Sequence, residues 1–160
     1  WIIVAQKKLT MTIRLLLASA FLVCAAWLQP VLAQSSADAI VGKWLTGTGK
    51  GHVEIYKSGS KYHGKIIWLK EPNDPATGKP KTDTKNSDKK MHSRPLIGLQ
   101  NLRDFTYAGD QVWESGRIYN PEDGKDYSCK MTLKDANTLD VRGFVGISLI
   151  GKTQTWKRVK

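Results

Sequence analysis

From residue 42 to residue 159, apolar and polar residues alternate in short runs split by turn residues, and no stretch after Ser35-Ser36 keeps a helical period. A period of two is what a strand shows when one face is buried and the other wet. Runs near 42–46, 51–57, 62–69, 102–107, 111–119, 125–134, 138–145 and 149–159 read as eight sequential strands. This predicts an all-β fold, either a closed up-and-down barrel or a sandwich. Closure has a physical advantage, because it leaves no exposed edge.

Two hairpins can be registered from side-chain chemistry alone. Gly59-Ser60 suits a two-residue type II′ turn, with glycine at the first central position. Folding about it sets Ile55 opposite Gly64 and Val53 opposite Ile66, with Glu54 facing Lys65 on the other side as a cross-strand charge pair. Val53, Ile55, Tyr62, Ile66 and Trp68 then share one apolar face. A one-residue slip would place His63 opposite Ile55 and destroy that sorting. In the second hairpin a three-residue loop, Asp135-Ala136-Asn137, pairs Leu133 with Leu139, Met131 with Val141 and Cys129 with Gly143. Its predicted interior is Tyr127, Cys129, Met131, Leu133, Leu139 and Val141.

Residues 1–33 contain Lys7, Lys8 and Arg14, no acidic residue, an apolar run from Leu15 to Leu28, and Val31-Leu32-Ala33 after Pro30. That order is the signature of a secretory signal peptide cleaved after Ala33. The run is shorter than the roughly 20 residues of a spanning helix. Met11 is a more ordinary start than Trp1, which leaves residues 1–10 open as a start-site artefact. Val23 before Cys24 argues against a lipid-modified cysteine. The expected organisation is a signal peptide over 1–33 and one barrel domain over 34–160. The expected location is periplasmic or secreted, with no transmembrane segment once the signal is gone. Losing three cations takes the formal charge of +11 to about +8. Cys129 is then the sole thiol, a buried small hydrophobe rather than a nucleophile, and packing must supply the stability.

The stretch 70–101 is long for a connection inside a small domain. It reads as a lid over one barrel mouth or as a disordered excursion, with Pro95-Leu96-Ile97-Gly98-Leu99 apolar enough to dock. Its Lys79, Lys81, Lys85, Lys89, Lys90 and Arg94 would attract an anionic surface. Interleaved Asp83 and Asp88, and the lack of aromatic residues to stack bases, argue against nucleic acid. His52, His63 and His92 read as surface histidines, so no metal site is expected. No phosphate loop, nucleophile elbow or paired-cysteine zinc pattern occurs. Neither a cofactor nor a catalytic motif is expected. Strand 111–119 presents either Val112, Glu114, Gly116 and Ile118 or Trp113, Ser115, Arg117 and Tyr119 to the interior. Each choice turns one charge inward, Glu114 or Arg117, and a buried charge must be paired or hydrogen-bonded.

Several segments resemble the exported bacterial proteins grouped as Domain of Unknown Function 2147. They are Gly42-Lys43-Trp44, Gly64-Lys65-Ile66-Ile67-Trp68-Leu69, Arg94-Pro95-Leu96-Ile97-Gly98-Leu99, Trp113 to Pro121, Asp123-Gly124-Lys125 and, most specifically, Val141 to Leu149 continuing through Gly151 to Trp156. The resemblance implies a single small lipocalin-like antiparallel barrel of about eight strands. It also implies that Arg158 on the last strand packs over Trp44 and closes one end. It carries no catalytic residue with it.

The leading expectation is an exported barrel that binds a small, partly apolar or amphipathic molecule, lined by Tyr62, Trp68, Glu114, Arg117 and Tyr127. The alternative is a non-catalytic envelope protein that meets a protein, glycan or anionic lipid through its basic surface. An enzyme at the barrel mouth would draw on Asp83, Asn86, Glu114, Arg117 and Arg142, and would require Glu114, Arg117 and Arg142 to share a cleft.

Overall fold

A computed structural model describes residues 37–160; the signal-peptide expectation for 1–33 lies outside the described residues. Eight strands follow in chain order: β1 Gly42–Leu45, β2 Gly51–Ser58, β3 Lys61–Leu69, β4 Gln100–Gly109, β5 Val112–Asn120, β6 Lys125–Asp135, β7 Thr138–Phe144 and β8 Gly151–Arg158. Each pairs antiparallel with the next, and β8 returns to β1, so the sheet is a closed barrel rather than a sandwich.

Both hairpins have the register that their side chains dictate. Val53 faces Ile66, Ile55 faces Gly64 and Glu54 faces Lys65, whose ammonium lies 3.2 Å from the Glu54 carboxylate. Gly59 has φ 59°, as a type II′ turn demands. In the second hairpin Cys129, Met131 and Leu133 face Gly143, Val141 and Leu139. Its turn is tighter than expected: Asp135 pairs with Thr138, and an irregularity between Leu133 and Asp135 absorbs the extra residue.

Bulges decide what the alternation alone could not. Between Val53–Ile66 and His52–Trp68, β3 advances two residues while β2 advances one. The extra residue, Ile67, inverts the parity beyond it. Trp68 therefore leaves the apolar face assigned to it. It is 41% exposed and stacks on the His52 ring at 4.4 Å on the outside of the barrel. In β5, three steps from Trp113 to Gly116 match two steps from Met131 to Cys129. Ser115 takes φ 60° there. Trp113 and Gly116 both turn inward, while Glu114, Ser115 and Arg117 are exposed. Neither competing face of β5 is the interior along its whole length, so neither Glu114 nor Arg117 is buried.

One end of the tube is solid. Trp44, Ile55, Tyr62, Phe105, Trp113, Met131 and Leu139 fill it, each at most 2% exposed. The 3₁₀ turn Asp38–Ile40 lies across it. The Trp44 and Trp113 indoles donate to the Ile40 and Ala37 carbonyls at 2.9 and 3.2 Å, and the Asp38 carboxylate accepts from Tyr62 Oη at 2.5 Å and Lys57 Nζ at 2.8 Å. Those bonds, led by the one from Lys57, hold the Asp38 carboxyl below its ordinary range. Arg158 finishes the cap. Its guanidinium carbon sits 4.2 Å from the centre of the Trp44 ring, and it donates to the carbonyls of Ala136, Ala39 and Val41 at 2.6, 2.7 and 3.0 Å. Arg158→Ala is expected to lose about 2 kcal/mol of unfolding free energy, from a cation–π contact and hydrogen bonds to a charged group. Arg158→Lys should recover less than half, since an ammonium cannot fork to three carbonyls. Denaturant midpoints of the two variants check this.

The seam that closes the barrel is short. β1 ends at Leu45, and only Trp44 and Leu45 pair with Arg158 and Lys157. By contrast, β7 and β8 pair along seven positions.

Candidate functional site

The far end is open and hollow. Beyond the packed aromatic layer the interior widens into a cavity of about 1350 Å³ that opens at the mouth. Val53, Ile66, Ile118, Val141, Phe144 and Trp156 contribute its apolar wall. Gly143 leaves room within that wall, where an added Cβ would meet Ile118 and Tyr127 at ordinary distances of 3.5 and 3.7 Å.

Segment 70–101 builds one side of the mouth. It is an ordered strap, stitched by bridges between Asn73 and Pro80 and between Thr82 and Pro95. Asp74, Lys79, Lys81, Lys85 and Leu96 of the strap line the opening. Leu99 docks into the core at 5% exposure, as its apolar flank suggested, while Ile97 stays 47% exposed.

A buried carboxylate clamps the strap to the barrel. Asp83 is fully buried and accepts from Tyr119 Oη at 2.6 Å, Arg94 Nη2 at 2.6 Å and Asn86 Nδ2 at 2.9 Å. Tyr119 follows the inward Ile118 in β5 with opposite parity, so the strap rather than the lumen buries it. Burial alone would raise the Asp83 carboxyl. The three hydrogen bonds and the Arg94 charge outweigh it and hold the carboxyl below its usual value. Burial and the Asp83 bond push the Tyr119 phenol up to about 12. A few residues along, Gly124 in the β5–β6 turn has φ +72°, and a Cβ there would meet the Lys85 carbonyl oxygen of the strap at 1.8 Å. Only glycine allows this approach.

The rim is polar, and its charges are unevenly matched. Each rim carboxylate has an internal partner. Glu122 pairs with Lys50 at 2.9 Å and Glu71 with Lys81 at 3.4 Å. Asp74 accepts from the Ala76 and Thr77 amides, and Asp123 from the Tyr127 hydroxyl at 2.7 Å. Lys70, Lys79, Lys85 and Lys152 also line the opening. None of the four has a carboxylate within ion-pair distance among the described residues. Deeper in the wall lies Asn101, only 6% exposed, whose Oδ1 is buried without a hydrogen-bond partner.

Of the five liners expected from sequence, Tyr127 alone reaches this cavity. Tyr62 lies in the solid end, bonded to Asp38, and Trp68, Glu114 and Arg117 are on the outside. The structure also separates the residues that an enzyme would have needed together. Asp83 and Asn86 belong to the clamp. Arg142 on the outer face is held by Ser148 O, Leu149 O and Thr153 Oγ1, and none of Glu114, Arg117 and Arg142 lines the cavity. Among the described residues no group of three or more His, Cys, Asp or Glu is placed to hold a metal ion. Burial pushes the Cys129 thiol up to about 12, which keeps it inert. Sequence reasoning missed Asn101. It is the extra residue of β4 where Lys65–Gln100 and Gly64–Leu102 pair, and no polarity pattern announces such a bulge.

Comparison with known proteins agrees with this architecture. A family model described as "Uncharacterized protein conserved in bacteria (DUF2147)" matches residues 42–158. Among solved structures, the chain is similar to one titled "Protein HP1028 from the human pathogen Helicobacter pylori belongs to the lipocalin family". The TM-score is 0.65 at 26% identity, covering 76% of this chain and 83% of that one. None of the curated proteins matches the chain.

Proposed function

Starting from a chain that belongs to the DUF2147 family, we propose that it is a non-catalytic carrier or receptor for a small amphipathic molecule with an anionic head. The cavity at the open end carries this reading: an apolar lumen ringed by four lysines that belong to no ion pair among the described residues. Ligand sites combine an apolar body with a few placed polar groups in this way. The apolar part of the ligand would fill the space beside Ile118, Val141 and Trp156. Its carboxylate or phosphate would sit among Lys70, Lys79, Lys85 and Lys152. The likeness to a lipocalin-family protein supports a ligand-binding barrel. The proposal also places the protein in the periplasm or outside the cell, on the strength of the basic, apolar and small-residue order of its first 33 residues.

The test is a pair of titrations with dodecanoic acid and dodecanol, read by the change in tryptophan fluorescence that Trp156, the tryptophan in the cavity wall among the described residues, contributes. The acid should saturate the signal and bind about tenfold more tightly than the alcohol, given one favourable charge contact at the rim. Gly143→Leu should weaken both ligands about tenfold while leaving the melting temperature near wild type, because its side chain occupies the ligand's space. Native mass spectrometry of protein purified from its own host should show a retained small molecule. No saturable response to either probe, together with an empty protein from the host, would overturn the proposal.

A further inference from the structure

The cavity mouth carries a second feature, most of which lies outside the lumen. The β7–β8 connection, residues 145–150, projects Val145, Ile147, Leu149 and Ile150 into solvent at 67, 59, 84 and 70% exposure. Half of the large hydrophobic side chains that are exposed among the described residues thus fall within six consecutive positions. A small protein rarely leaves such an apolar cluster in water without a partner for it. The loop is also built, not merely loose. Arg142 on β7 reaches across its base and donates to the Ser148 and Leu149 carbonyls at 2.7 and 3.1 Å, and Ile150 N bonds to Ile147 O at 3.1 Å. Three consecutive loop carbonyls, of Ile147, Ser148 and Leu149, are thus bonded while the aliphatic side chains stay exposed.

We propose that this loop is a membrane-docking finger, which inserts its aliphatic tip into the headgroup region of an anionic phospholipid bilayer. Two observations select a bilayer over a protein groove or a second copy of the chain. The large side chains of the tip are all aliphatic, separated only by Gly146 and Ser148, with none of the tyrosine, tryptophan or arginine anchors that dominate protein interfaces. The surface around it is also cationic on balance: Lys70, Lys79, Lys85 and Lys152 ring the same mouth, Glu71 and Glu122 are paired with other lysines, and Asp74 and Asp123 offset only part of the remaining charge. Apolar insertion plus basic side chains at the surface is the combination that holds peripheral proteins on acidic lipid. Val145 and Ile150 line the cavity as well as the finger. Docking would therefore point the opening at the bilayer, so that an amphipathic ligand could pass between them without crossing bulk water. The docking itself does not depend on what the cavity binds.

Flotation of protein purified from its native host with phospholipid vesicles tests it. Wild type should float with vesicles of phosphatidylcholine plus phosphatidylglycerol, weakly with phosphatidylcholine alone, and less as salt rises. Ile147→Asp/Leu149→Asp should lower partitioning about tenfold, and Lys152→Glu should lower it less. Ile147 and Leu149 do not line the cavity, so dodecanoic acid binding should be unchanged in that variant. This separates the failure of docking from the failure of the carrier reading. Any N-terminal segment is common to all variants and cannot explain a difference between them. Equal flotation of wild type and the aspartate variant would overturn the proposal. So would a concentration-dependent dimer, seen by sedimentation, that the same substitutions dissociate.

Discussion

Gly116→Ala is expected to be the most damaging single-methyl change in the barrel, costing about 3 kcal/mol of unfolding free energy, the upper range for overpacking a core. An added Cβ would lie 2.4–2.5 Å from three atoms of the Phe105 ring. That ring is fully buried, so it has nowhere to retreat. The neighbouring bulge offers no relief, because it turns the fully buried Trp113 to the same inward face of β5. With a total stability of roughly 5–15 kcal/mol for a domain of this kind, such a loss is a large fraction of the whole. Phe105→Leu alone should also destabilise, by removing buried ring area. In the Gly116→Ala background, however, it should recover part of the loss. A double-mutant cycle by urea denaturation reads the coupling between the two sites. Simple additivity would mean that the ring and the missing methyl are not in conflict.

The second large effect concerns the strap. Asp83→Ala should cost about 3 kcal/mol, because it strands the Tyr119 hydroxyl, the Asn86 amide and the Arg94 guanidinium at once. Arg94 is 40% exposed along its side chain and can turn partly to water, which keeps the loss from being larger. Amide exchange over 81–96 should accelerate far more than exchange in β6 and β7, since the clamp fixes the strap and not the tube. Asp83→Asn keeps the shape but loses the charge, and should fall between the two. The same group predicts a pH dependence. Its folded pKa is depressed, so the stability it adds is present above the ordinary carboxylate range near 3.8 and is lost as pH falls through the folded value. Wild type should therefore lose strap protection on acidification below about pH 4. Asp83→Asn should start lower and show a flatter acid limb. Equal slopes for the two proteins would assign the acid sensitivity to other carboxylates.

How far a sequence speaks for its own fold depends here on parity. Where strands run without interruption, the two-residue rhythm fixed register to the residue. Glu54 against Lys65 and Met131 against Val141 required only that charges face water and hydrocarbon face hydrocarbon. Where a strand carries a bulge, the rhythm breaks silently. Trp68 looks like a core residue until Ile67 is counted as extra, and Glu114 looks like a buried anchor until Ser115 enters the left-handed region. Both errors fell on proposed cavity liners, because a bulge reverses which residues of its strand face the interior. The strap was visible as a long basic segment, but its fastening was not. Asp83 reads as one more solvated acid in a charged stretch, and its partner Tyr119 is thirty-six residues away. The lysine rim and Asn101 were assembled by folding, and no local spacing betrays them.

The brevity of the seam between β1 and β8 has a mechanical consequence. Two residue pairs rivet the wall at the capped base, while the upper part of β8 has no ladder partner in β1. The tube therefore behaves as a split collar. Widening near the entrance would part the wall along that one line, where Gly47 packs on Gln154 and Thr155 without a ladder, and would spare the aromatic plug below. If the barrel holds the proposed ligand, differences in its thickness would load a few peripheral bonds rather than the core.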